Sequence, residues 1–343
     1  MKILVIAKWL VKWNGTSRVV YELSKYFQKN HEVRLVIYKD FVDSDWEKDL
    51  FVYKIHSKGL FATGEINDII KEFQPDIIHS HDWLGILTLP SHVPLISTVH
   101  SNWPMNWFYN YKSFFAGIFQ EIPNEIKLHL SNEVVCVSEF QQAKLAGRGV
   151  KSQVIYNGIS TFNTTSLEAV CLKHPCILLV GAIDKRKYSK LITVLEYLPE
   201  EIYVYICGTI LDKSIYQKLK AFKNVTVLGY VESAYGYYES ADIYVSTSDM
   251  EVFGLTLVEA QSAGCPVIAF NLGPFSEIVI DNYTGFLVQQ DNCREMAERI
   301  SYLLKNEEIR KEMSKNAEMV SKSKFSWPDK AEMYLDTFHK LTQ

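Results

Sequence analysis

The sequence predicts an α/β protein made of two doubly wound units, each with a parallel sheet covered by helices. Short apolar runs alternate with longer amphipathic stretches along most of the chain, which is the pattern of strands that are each followed by a helix. The alternation pauses around 160–175, where the residues are polar and show no period, and then it resumes. The length of 343 residues also favours two domains over one.

The first unit begins with a predicted strand over 3–6, an uninterrupted apolar run. A helix is predicted over 16–29. Its apolar residues Val20, Leu23 and Phe27 recur at helical spacing. The other predicted elements of this unit are strands over 33–38, 51–55, 77–79, 95–99 and 134–137 and a helix over 66–73.

The second unit repeats the pattern after the pause, and the run Cys-Ile-Leu-Leu-Val at 176–180 predicts its first strand. Residues 292–323 are charged and rich in helix formers, which predicts helices with one solvated face. A last helix is predicted to open at 325–328 and to run to Leu341. The other predicted elements of this unit are strands over 203–207, 225–228, 243–246, 267–270 and 286–288 and helices over 190–198 and 235–240.

The composition narrows the class of function. A formal net charge of −4 gives no broad basic surface for nucleic acid. Cys136, Cys207 and Cys265 lie in or beside apolar runs and are interpreted as buried thiols, which suits a reducing compartment. The apolar start is broken by Lys8 and is interpreted as a strand rather than a signal peptide. No uncharged run reaches about 18 residues, so we expect a cytoplasmic protein without a transmembrane helix.

The most informative segment is 251–260, Glu-Val-Phe-Gly-Leu-Thr-Leu-Val-Glu-Ala. It is interpreted as a loop that leads into a helix. Gly254 has no Cβ and lets the backbone approach a ligand closely, and the helix begins with unpaired N–H groups that suit a diphosphate. Glu251 would lie at the mouth of this site, with Glu259 about two turns into the helix. Two surface glutamates on a solvated helix are the alternative, but Glu259 falls inside an apolar run.

This segment, the Gly-Cys-Pro-Val at 264–267 and the later stretches 273–279 and 284–288 resemble the retaining glycosyltransferases of family 4, which have the GT-B fold. The resemblance covers nearly the whole chain. It implies two Rossmann-like domains that face a central cleft, where the ligand would bind. It assigns Glu251 to the transferred sugar and Glu259 to the ribose hydroxyls of the nucleotide.

The resemblance also implies how the chain is divided. Residues 1–160 would form the acceptor-side domain, and residues 161–326 would form the donor-binding domain. The C-terminal helix, 327–343, would cross back to pack on the first domain.

Two cations and a stretch of backbone form the predicted diphosphate site. The backbone is that of Phe253, Gly254 and Leu255. Arg186 and Lys187 follow the first strand of the second unit, and Arg can bond phosphate oxygens bidentately while Lys supplies a compact charge. A basic surface turn would explain the same two residues without a ligand. The resemblance favours the phosphate role and makes both cations part of the catalytic set, together with Glu251.

Four further residues receive roles from the resemblance. Gly15, between the first strand and the first helix, would meet the donor phosphates, although a plain strand-to-helix turn also explains it. His100 ends the strand 95–99 and would bind the donor sugar or stabilise the transition state, where a structural histidine is the alternative. The backbone at Tyr230 and Val231 would contact the nucleobase.

His79 and His81 invite a metal interpretation, because alternate residues of a strand share a face. No third ligand is evident, and the six cysteines show no paired zinc spacing. We therefore predict no metal site and no cofactor, with the nucleotide diphosphate sugar as a substrate.

Trp103 and Trp107 belong to an aromatic-rich segment, 102–119. Tryptophan and tyrosine suit sugar stacking and membrane interfaces, so this segment is a candidate site for the acceptor or for a lipid carrier. A helix buried by its aromatic residues is the other interpretation, and both stay open. Peripheral contact with the inner membrane face is open for the same reason.

The predicted function is a retaining, hexosyltransferase-type glycosyltransferase of polysaccharide or glycolipid biosynthesis. It would move a sugar from a UDP- or GDP-sugar to a glycan, a lipid-linked or a small-molecule acceptor. A GT-B sugar-nucleotide epimerase is one alternative. A non-catalytic nucleotide-sugar-binding subunit is another, to which the departures from the family pattern at Ala182, Thr247 and Ser160 give weight. A dehydrogenase is disfavoured, because no Gly-x-Gly-x-x-Gly follows the first strand.

Overall fold

The structure is a computed structural model that describes residues 1–57, 62–81, 92–101, 125–159 and 170–343. Backbone contacts divide the chain into two compact units. The first comprises Met1–Gly158 together with Trp327–Gln343, and the second comprises Ile159–Ser326. Each unit contains a parallel sheet with helices packed on it, so the predicted α/β class is confirmed.

Within the described residues, the sheet of the first unit has seven strands: β1 (Lys2–Ile6), β2 (Glu32–Tyr38), β3 (Phe51–Ile55), β4 (Ile77–His81), β5 (Leu95–Val99), β6 (Glu133–Cys136) and β7 (Gln153–Val154). They are parallel and lie in the order β3-β2-β1-β4-β5-β6-β7. The central strands β4 and β5 are buried along their whole length, as expected for a sheet with helices on both faces. The order of the strands reverses between β1 and β4.

The described α-helices of the first unit are Gly15–Phe27, Ser44–Asp49, Ala62–Phe73, Glu139–Ala146 and Trp327–Thr342. The last of these packs against the first, where the rings of Phe27 and Phe338 lie 5.3 Å apart between centroids. The first residue of this helix, Trp327, packs against the backbone of Gly158. A Cβ at Gly158 would lie 2.4 Å from the ring of Trp327, so only glycine leaves room for it. The C-terminal helix therefore belongs to the first unit although 168 residues of the second unit, Ile159–Ser326, precede it.

In the described part of the second unit the sheet has six parallel strands: β8 (Cys176–Val180), β9 (Tyr203–Cys207), β10 (Val225–Gly229), β11 (Ile243–Ser246), β12 (Val267–Phe270) and β13 (Gly285–Val288). They lie in the order β10-β9-β8-β11-β12-β13, so the order reverses between β8 and β11. The apolar residues of the inner strands β8, β11 and β12 are buried, except Val180, and alternate ones join one core with the helices.

The helices of the second unit are Lys185–Tyr197, Lys213–Lys220, Tyr235–Ser240, Leu255–Ser262, Phe275–Ile278, Cys293–Lys305 and Glu307–Lys324. The first six follow one strand each, as a doubly wound sheet requires. Across the described ranges of both units, no helix combines the length and the apolar character that a membrane crossing demands.

The sequence prediction differs from the structure for two helices of the second unit. The helix predicted over 190–198 begins at Lys185, because the carboxylate of Asp184 accepts a hydrogen bond from the backbone N–H of Lys187 at 2.9 Å and caps the helix there. The helix Lys213–Lys220 was not predicted at all. It buries only Ile215 and Leu219, a pattern too sparse to show a helical period in the sequence.

The strand predicted over 77–79 in the first unit continues to His81. Both of its histidines are fully buried, and polar side chains on the neighbouring elements contact them. Histidine interrupts an apolar run in the sequence, which is why the strand was predicted to end early.

Candidate functional site

The predicted site residues of the second unit collect at one edge of its sheet. β8 and β11 are neighbours and run parallel, so the segments that follow them begin side by side. Arg186 and Lys187 follow β8, and Glu251 follows β11. The strand order reverses between these two strands, and in open α/β sheets ligands bind at such a reversal, outside the carboxyl ends of the strands.

An ion pair joins the two segments. Nζ of Lys187 lies 3.0 Å from Oε1 of Glu251, and the hydroxyl of Ser248 donates to the same oxygen at 3.2 Å. The side chains of Lys187 and Glu251 are 29% and 24% exposed, so both can be reached by a ligand from solvent. The sequence analysis assigned these two residues to different parts of one ligand, and the structure places them in contact with each other.

The helix Leu255–Ser262 begins beside this pair. The residue before it, Gly254, is its N-cap and has φ = 106°, and no side chain among the described residues caps the helix there. A Cβ on Gly254 would lie 2.9 Å from the ring of Phe275, so glycine is required by the packing as well as by the backbone angle. The first backbone N–H groups of an uncapped helix can donate to an anion.

The side chain of Phe253, just before this helix, packs into the core of the second unit. Its side chain is only 4% exposed, and its ring packs edge-on against that of Phe325 with the centroids 5.7 Å apart. The side chain of Phe253 is therefore a core residue, and what it offers to a ligand is its backbone. The predicted role of Phe253 rested on main-chain groups and stays a prediction.

Arg186 lies in the first turn of a helix and not in the basic turn that the sequence suggested. Its guanidinium is 62% exposed and lies 3.1 Å from Oδ2 of Asp184, the residue that caps the helix. An ion pair this exposed contributes little to stability, so the side chain can leave Asp184 at small cost.

A buried tyrosine holds the loop after β8 in place. Tyr188 is fully buried, and its hydroxyl donates to the carbonyl oxygen of Gly181 at 3.1 Å. Burial raises the pKa of Tyr188 well above its ordinary value, so the hydroxyl keeps its proton and remains a donor. A Cβ on Gly208 would lie 1.8 Å from that same carbonyl oxygen, and glycine there lets the loop after β9 lie against it.

The loop after β11 is tied to the helix that carries Lys187. The hydroxyl of Thr247 donates to the carbonyl of Lys187 at 2.6 Å, and the backbone N–H of Asp249 donates to the carbonyl of Arg186 at 3.0 Å. Nζ of Lys190 pairs with Oδ1 of Asp249 at 2.6 Å. Thr247 and Lys190 thus support the site, a role that the sequence alone did not predict for either residue.

Glu259 lies one turn into its helix and not two, because the helix begins at Leu255 and Glu259 is its fifth residue. Its side chain is buried, and the hydroxyl of Tyr238 donates to its Oε2 at 3.2 Å. A buried carboxylate must be hydrogen-bonded to remain charged, and Tyr238 is one group that does this. The sequence gave no sign of that partner, which lies on a different helix.

Tyr230 and Val231 follow β10, on the same edge of the sheet. Gly229 has φ = 77° and its carbonyl accepts a hydrogen bond from the backbone N–H of Gly208 at 2.7 Å. The chain then turns outward, and Tyr230 is 51% exposed. The backbone after Gly229 is therefore held near the loop after β9.

Two predicted site residues belong to the first unit. Gly15 is the first residue of the helix Gly15–Phe27, which the side chain of Asn14 caps by accepting from the N–H of Ser17 at 2.9 Å. His100 directly follows β5 and is half-buried, and its Nε2 lies 2.9 Å from Nδ1 of His81. Trp103 and Trp107, with the whole segment 102–119, lie outside the described residues.

One group of side chains in the described part of the chain has the composition of a metal site. It consists of His174, Cys176 and Asp242, at the amino-terminal ends of β8 and β11. Nδ1 of His174 lies 2.8 Å from Oδ2 of Asp242, and the guanidinium of Arg310 lies 3.3 Å from Oδ1 of the same carboxylate. These side chains form a cluster of polar contacts at the far end of the strands from Lys187.

Comparison with known proteins places the chain in a family. Residues 13–161 match the family model described as Glycosyltransferase Family 4, and residues 169–320 match the model described as Glycosyl transferases group 1. The chain belongs to the group 1 glycosyltransferases. The predicted family resemblance is thereby confirmed.

The GT-B fold of these glycosyltransferases is confirmed by a solved structure. The crystal structure of HepE from Anabaena in complex with UDP and glucose matches with a TM-score of 0.77 and 16% sequence identity, over 99% of this chain and 100% of that chain. At this identity the likeness shows the fold alone.

Two curated relatives are similar over part of their length. An uncharacterized glycosyltransferase of Methanocaldococcus jannaschii is 29% identical over 57% of this chain and 56% of its own length. The capsular polysaccharide biosynthesis glycosyltransferase CapM of Staphylococcus aureus is 30% identical over 39% of this chain and 36% of its own length. The chain thus spans about half or less of the relatives that it matches.

Proposed function

We propose that this group 1 glycosyltransferase moves a hexose-type sugar from a UDP- or GDP-sugar to a glycan, lipid-linked or small-molecule acceptor, with retention of anomeric configuration. The observation that carries the proposal is the contact of Lys187 with Glu251 beside the uncapped helix N-terminus at Gly254. A cation, an anion and free backbone donors at the reversal of the strand order suit a ligand that has a diphosphate at one end and hydroxyl groups at the other. HepE, which shares the fold, was crystallised with UDP and glucose.

The diphosphate would be bound by Lys187, by Arg186 and by the first N–H groups of the helix Leu255–Ser262. When the bond between the sugar and the diphosphate breaks, negative charge collects on the leaving phosphate. Groups already oriented toward that charge lower the barrier, typically by about 3–4 kcal/mol for one key group. The backbone carbonyl of Lys187 accepts a hydrogen bond from Thr247, which fixes the start of its side chain, and its ammonium would exchange Glu251 for the diphosphate.

Glu251 would accept hydrogen bonds from hydroxyls of the transferred sugar. Its carboxylate already accepts from Ser248 and pairs with Lys187, which orients it before the donor arrives. Positive charge develops on the sugar ring in the transition state, and a nearby carboxylate stabilises it electrostatically. The leaving phosphate would take the proton of the acceptor, and neither a side-chain nucleophile nor a metal ion is part of the proposal.

Glu259 would accept hydrogen bonds from the two ribose hydroxyls. Each bond to a charged group contributes about 1.5–3 kcal/mol. The hydroxyl of Tyr238 holds one carboxylate oxygen, which fixes the plane of the carboxylate. The backbone at Tyr230 and Val231 would contact the nucleobase, Gly15 the phosphates and His100 the sugar, as the family resemblance implies.

A screen of nucleotide sugars tests the proposal. A donor present at 100 times its Kd should add about 2.7 kcal/mol to the free energy of unfolding, and this is visible as a thermal shift. The active donor, incubated with candidate acceptors, should give a glycoside with the anomeric configuration of the donor. Appearance of a different sugar nucleotide without acceptor would favour an epimerase, and binding without transfer or donor hydrolysis would favour a non-catalytic subunit. Binding of no UDP- or GDP-sugar would contradict the proposal.

A further inference from the structure

Three histidines form a cluster in the first unit, at the carboxyl ends of β4 and β5. His79 and His81 are alternate residues of β4, with their ring centroids 4.0 Å apart, and both are fully buried. His100 follows β5. The rings of His81 and His100 are nearly parallel, at 13°, and Nδ1 of His81 lies 2.9 Å from Nε2 of His100.

In the contact between His81 and His100, one of the two ring nitrogens carries a hydrogen and the other does not. Two nitrogens at 2.9 Å form a hydrogen bond only when one carries the hydrogen and the other offers a lone pair. Burial, reinforced by the charges of His79, His100 and Lys127, holds the pKa of His81 well below its ordinary value. His81 is therefore neutral near pH 7 and carries its single ring proton on either Nδ1 or Nε2.

The surroundings of His81 decide between these two nitrogens. Its Nε2 is buried and has no hydrogen-bond partner in the described ranges. A proton on Nε2 would be a buried N–H without an acceptor, a defect that costs about 1–3 kcal/mol and is rare in proteins, whereas a bare ring nitrogen is better tolerated. The proton therefore lies on Nδ1, and His81 donates to Nε2 of His100.

The neighbouring His79 follows the same rule. Its Nε2 lies 2.8 Å from Oγ1 of Thr98, and the hydroxyl of Thr98 donates to that of Tyr334 at 3.3 Å. The oxygen of Thr98 thus accepts, so Nε2 of His79 carries the proton. The remaining Nδ1 of His79 is buried and has no partner within the described residues. In each buried histidine the ring proton lies on the nitrogen that has a hydrogen-bond acceptor.

We infer that His81 is a positioning residue that fixes the tautomer of His100, with Nε2 bare and Nδ1 protonated. In this tautomer Nε2 of His100 accepts from His81, and Nδ1 of His100 is a donor. His100 can then donate a hydrogen bond to an oxygen of the substrate, but it cannot accept a proton as a base while this contact persists. The meaning for catalysis rests on the proposed function, whereas the tautomer itself does not.

Nitrogen NMR of the ligand-free protein, labelled with ¹⁵N at histidine, tests the inference. The signals of His100 are assigned by their loss in His100→Gln. In the wild type, Nδ1 of His100 should show the shift of a protonated nitrogen, and Nε2 that of a bare one. The reverse assignment would overturn the inference, whatever the enzyme catalyses.

Two variants of His81 test whether its N–H donor, rather than the bulk of its side chain, determines the tautomer of His100. His81→Phe removes the N–H, and His100 should then populate both tautomers. His81→Asn places an amide N–H near the position of Nδ1 and should keep the wild-type pattern. A wild-type pattern in a folded His81→Phe protein would contradict the role of His81. If His81→Phe does not fold, the wild-type spectrum and that of His81→Asn still decide.

Kinetics then connect the tautomer to the proposed reaction. His81→Phe should lower kcat about tenfold, the worth of one hydrogen bond, with the donor KM little changed, and His81→Asn should restore most of the loss. Equal losses in both variants would indicate a structural role only. A protein with the expected spectrum but without transfer would refute the proposed function and leave the tautomer assignment standing.

Discussion

Nζ of Lys187 lies 3.0 Å from Oε1 of Glu251. The residue expected to bind the diphosphate of the donor is therefore in contact with the residue expected to bind its sugar. The pair joins the segment after β8 to the segment after β11, 64 positions apart in the chain numbering. An incoming diphosphate would compete with Glu251 for Lys187. Donor binding and orientation of the carboxylate are therefore linked.

Glu251→Gln should separate binding from catalysis. The variant removes the competitor for Lys187, so UDP should bind about 1.5- to 5-fold more tightly, because a partly exposed ion pair is worth about 0.2–1 kcal/mol. Turnover should fall by about 100-fold or more, because the carboxylate no longer stabilises charge on the sugar. Calorimetric titration with UDP and steady-state kinetics measure both effects. Glu298→Gln, at an exposed helix position, is the control, and weaker UDP binding by Glu251→Gln would count against the competition.

Lys187→Ala should lower kcat by about 100- to 1,000-fold, because one preoriented donor at a developing negative charge contributes about 3–4 kcal/mol. Lys185→Ala is the matched control. Lys185 lies in the same helical turn but is exposed, and it should leave kcat unchanged. Arg186→Ala should have a smaller effect than Lys187→Ala, since its guanidinium is more exposed and paired with Asp184. Similar kinetics for the variants at 185 and 187 would refute the role of Lys187.

Gly208→Ala should destabilise the second unit severely. A Cβ there would lie 1.8 Å from the carbonyl oxygen of Gly181, which is backbone and cannot rotate away, and overpacking of this kind commonly costs about 1–3 kcal/mol or more. Gly64→Ala is the control. Gly64 lies in the helix Ala62–Phe73 with open space around it, and alanine should stabilise the protein by about 0.5–1 kcal/mol. Denaturant unfolding measures both, and equal stability of the two variants would contradict the packing described for the loop.

The buried histidines should make the first unit sensitive to acid. Burial, with the charges of His100 and Lys127, lowers the pKa of His79 to about 3. The unfolded chain takes up this proton near pH 6.5, and the folded chain takes it up only near pH 3. This contribution to the free energy of unfolding is therefore at its full value above pH 6.5. It falls as the pH drops toward 3, by about 1.4 kcal/mol per pH unit. His79→Gln should flatten this dependence, measured by urea unfolding between pH 7 and pH 4.5, and the exposed His56→Gln should not.

The strands of the second unit are largely predictable from the sequence. The runs at 176–180, 203–207 and 267–270 coincide with strands of the structure, because continuous apolar runs identify buried parallel strands. Helix starts are less predictable. The start at Lys185 depends on a hydrogen bond from Lys187 to the side chain of Asp184, and no hydrophobic period reports it.

The residues of the candidate site also differ in how far they can be predicted from the sequence. Glu251, Gly254 and Lys187 could be selected from the sequence because they belong to recognisable motifs. Their supports could not, since Tyr188 acts through a carbonyl seven positions earlier and Tyr238 through a carboxylate on another helix. Such contacts depend on tertiary packing.

The proposed function requires that a nucleoside diphosphate binds where Lys187 and the helix N-terminus at Gly254 meet. A crystal structure of the protein with UDP or GDP is the decisive experiment. We expect the diphosphate within hydrogen-bonding distance of Nζ of Lys187 and of the backbone N–H groups that follow Gly254, with the ribose hydroxyls at Glu259. A diphosphate bound elsewhere, or a Lys187–Glu251 contact left undisturbed in crystals that contain the bound nucleotide, would contradict it.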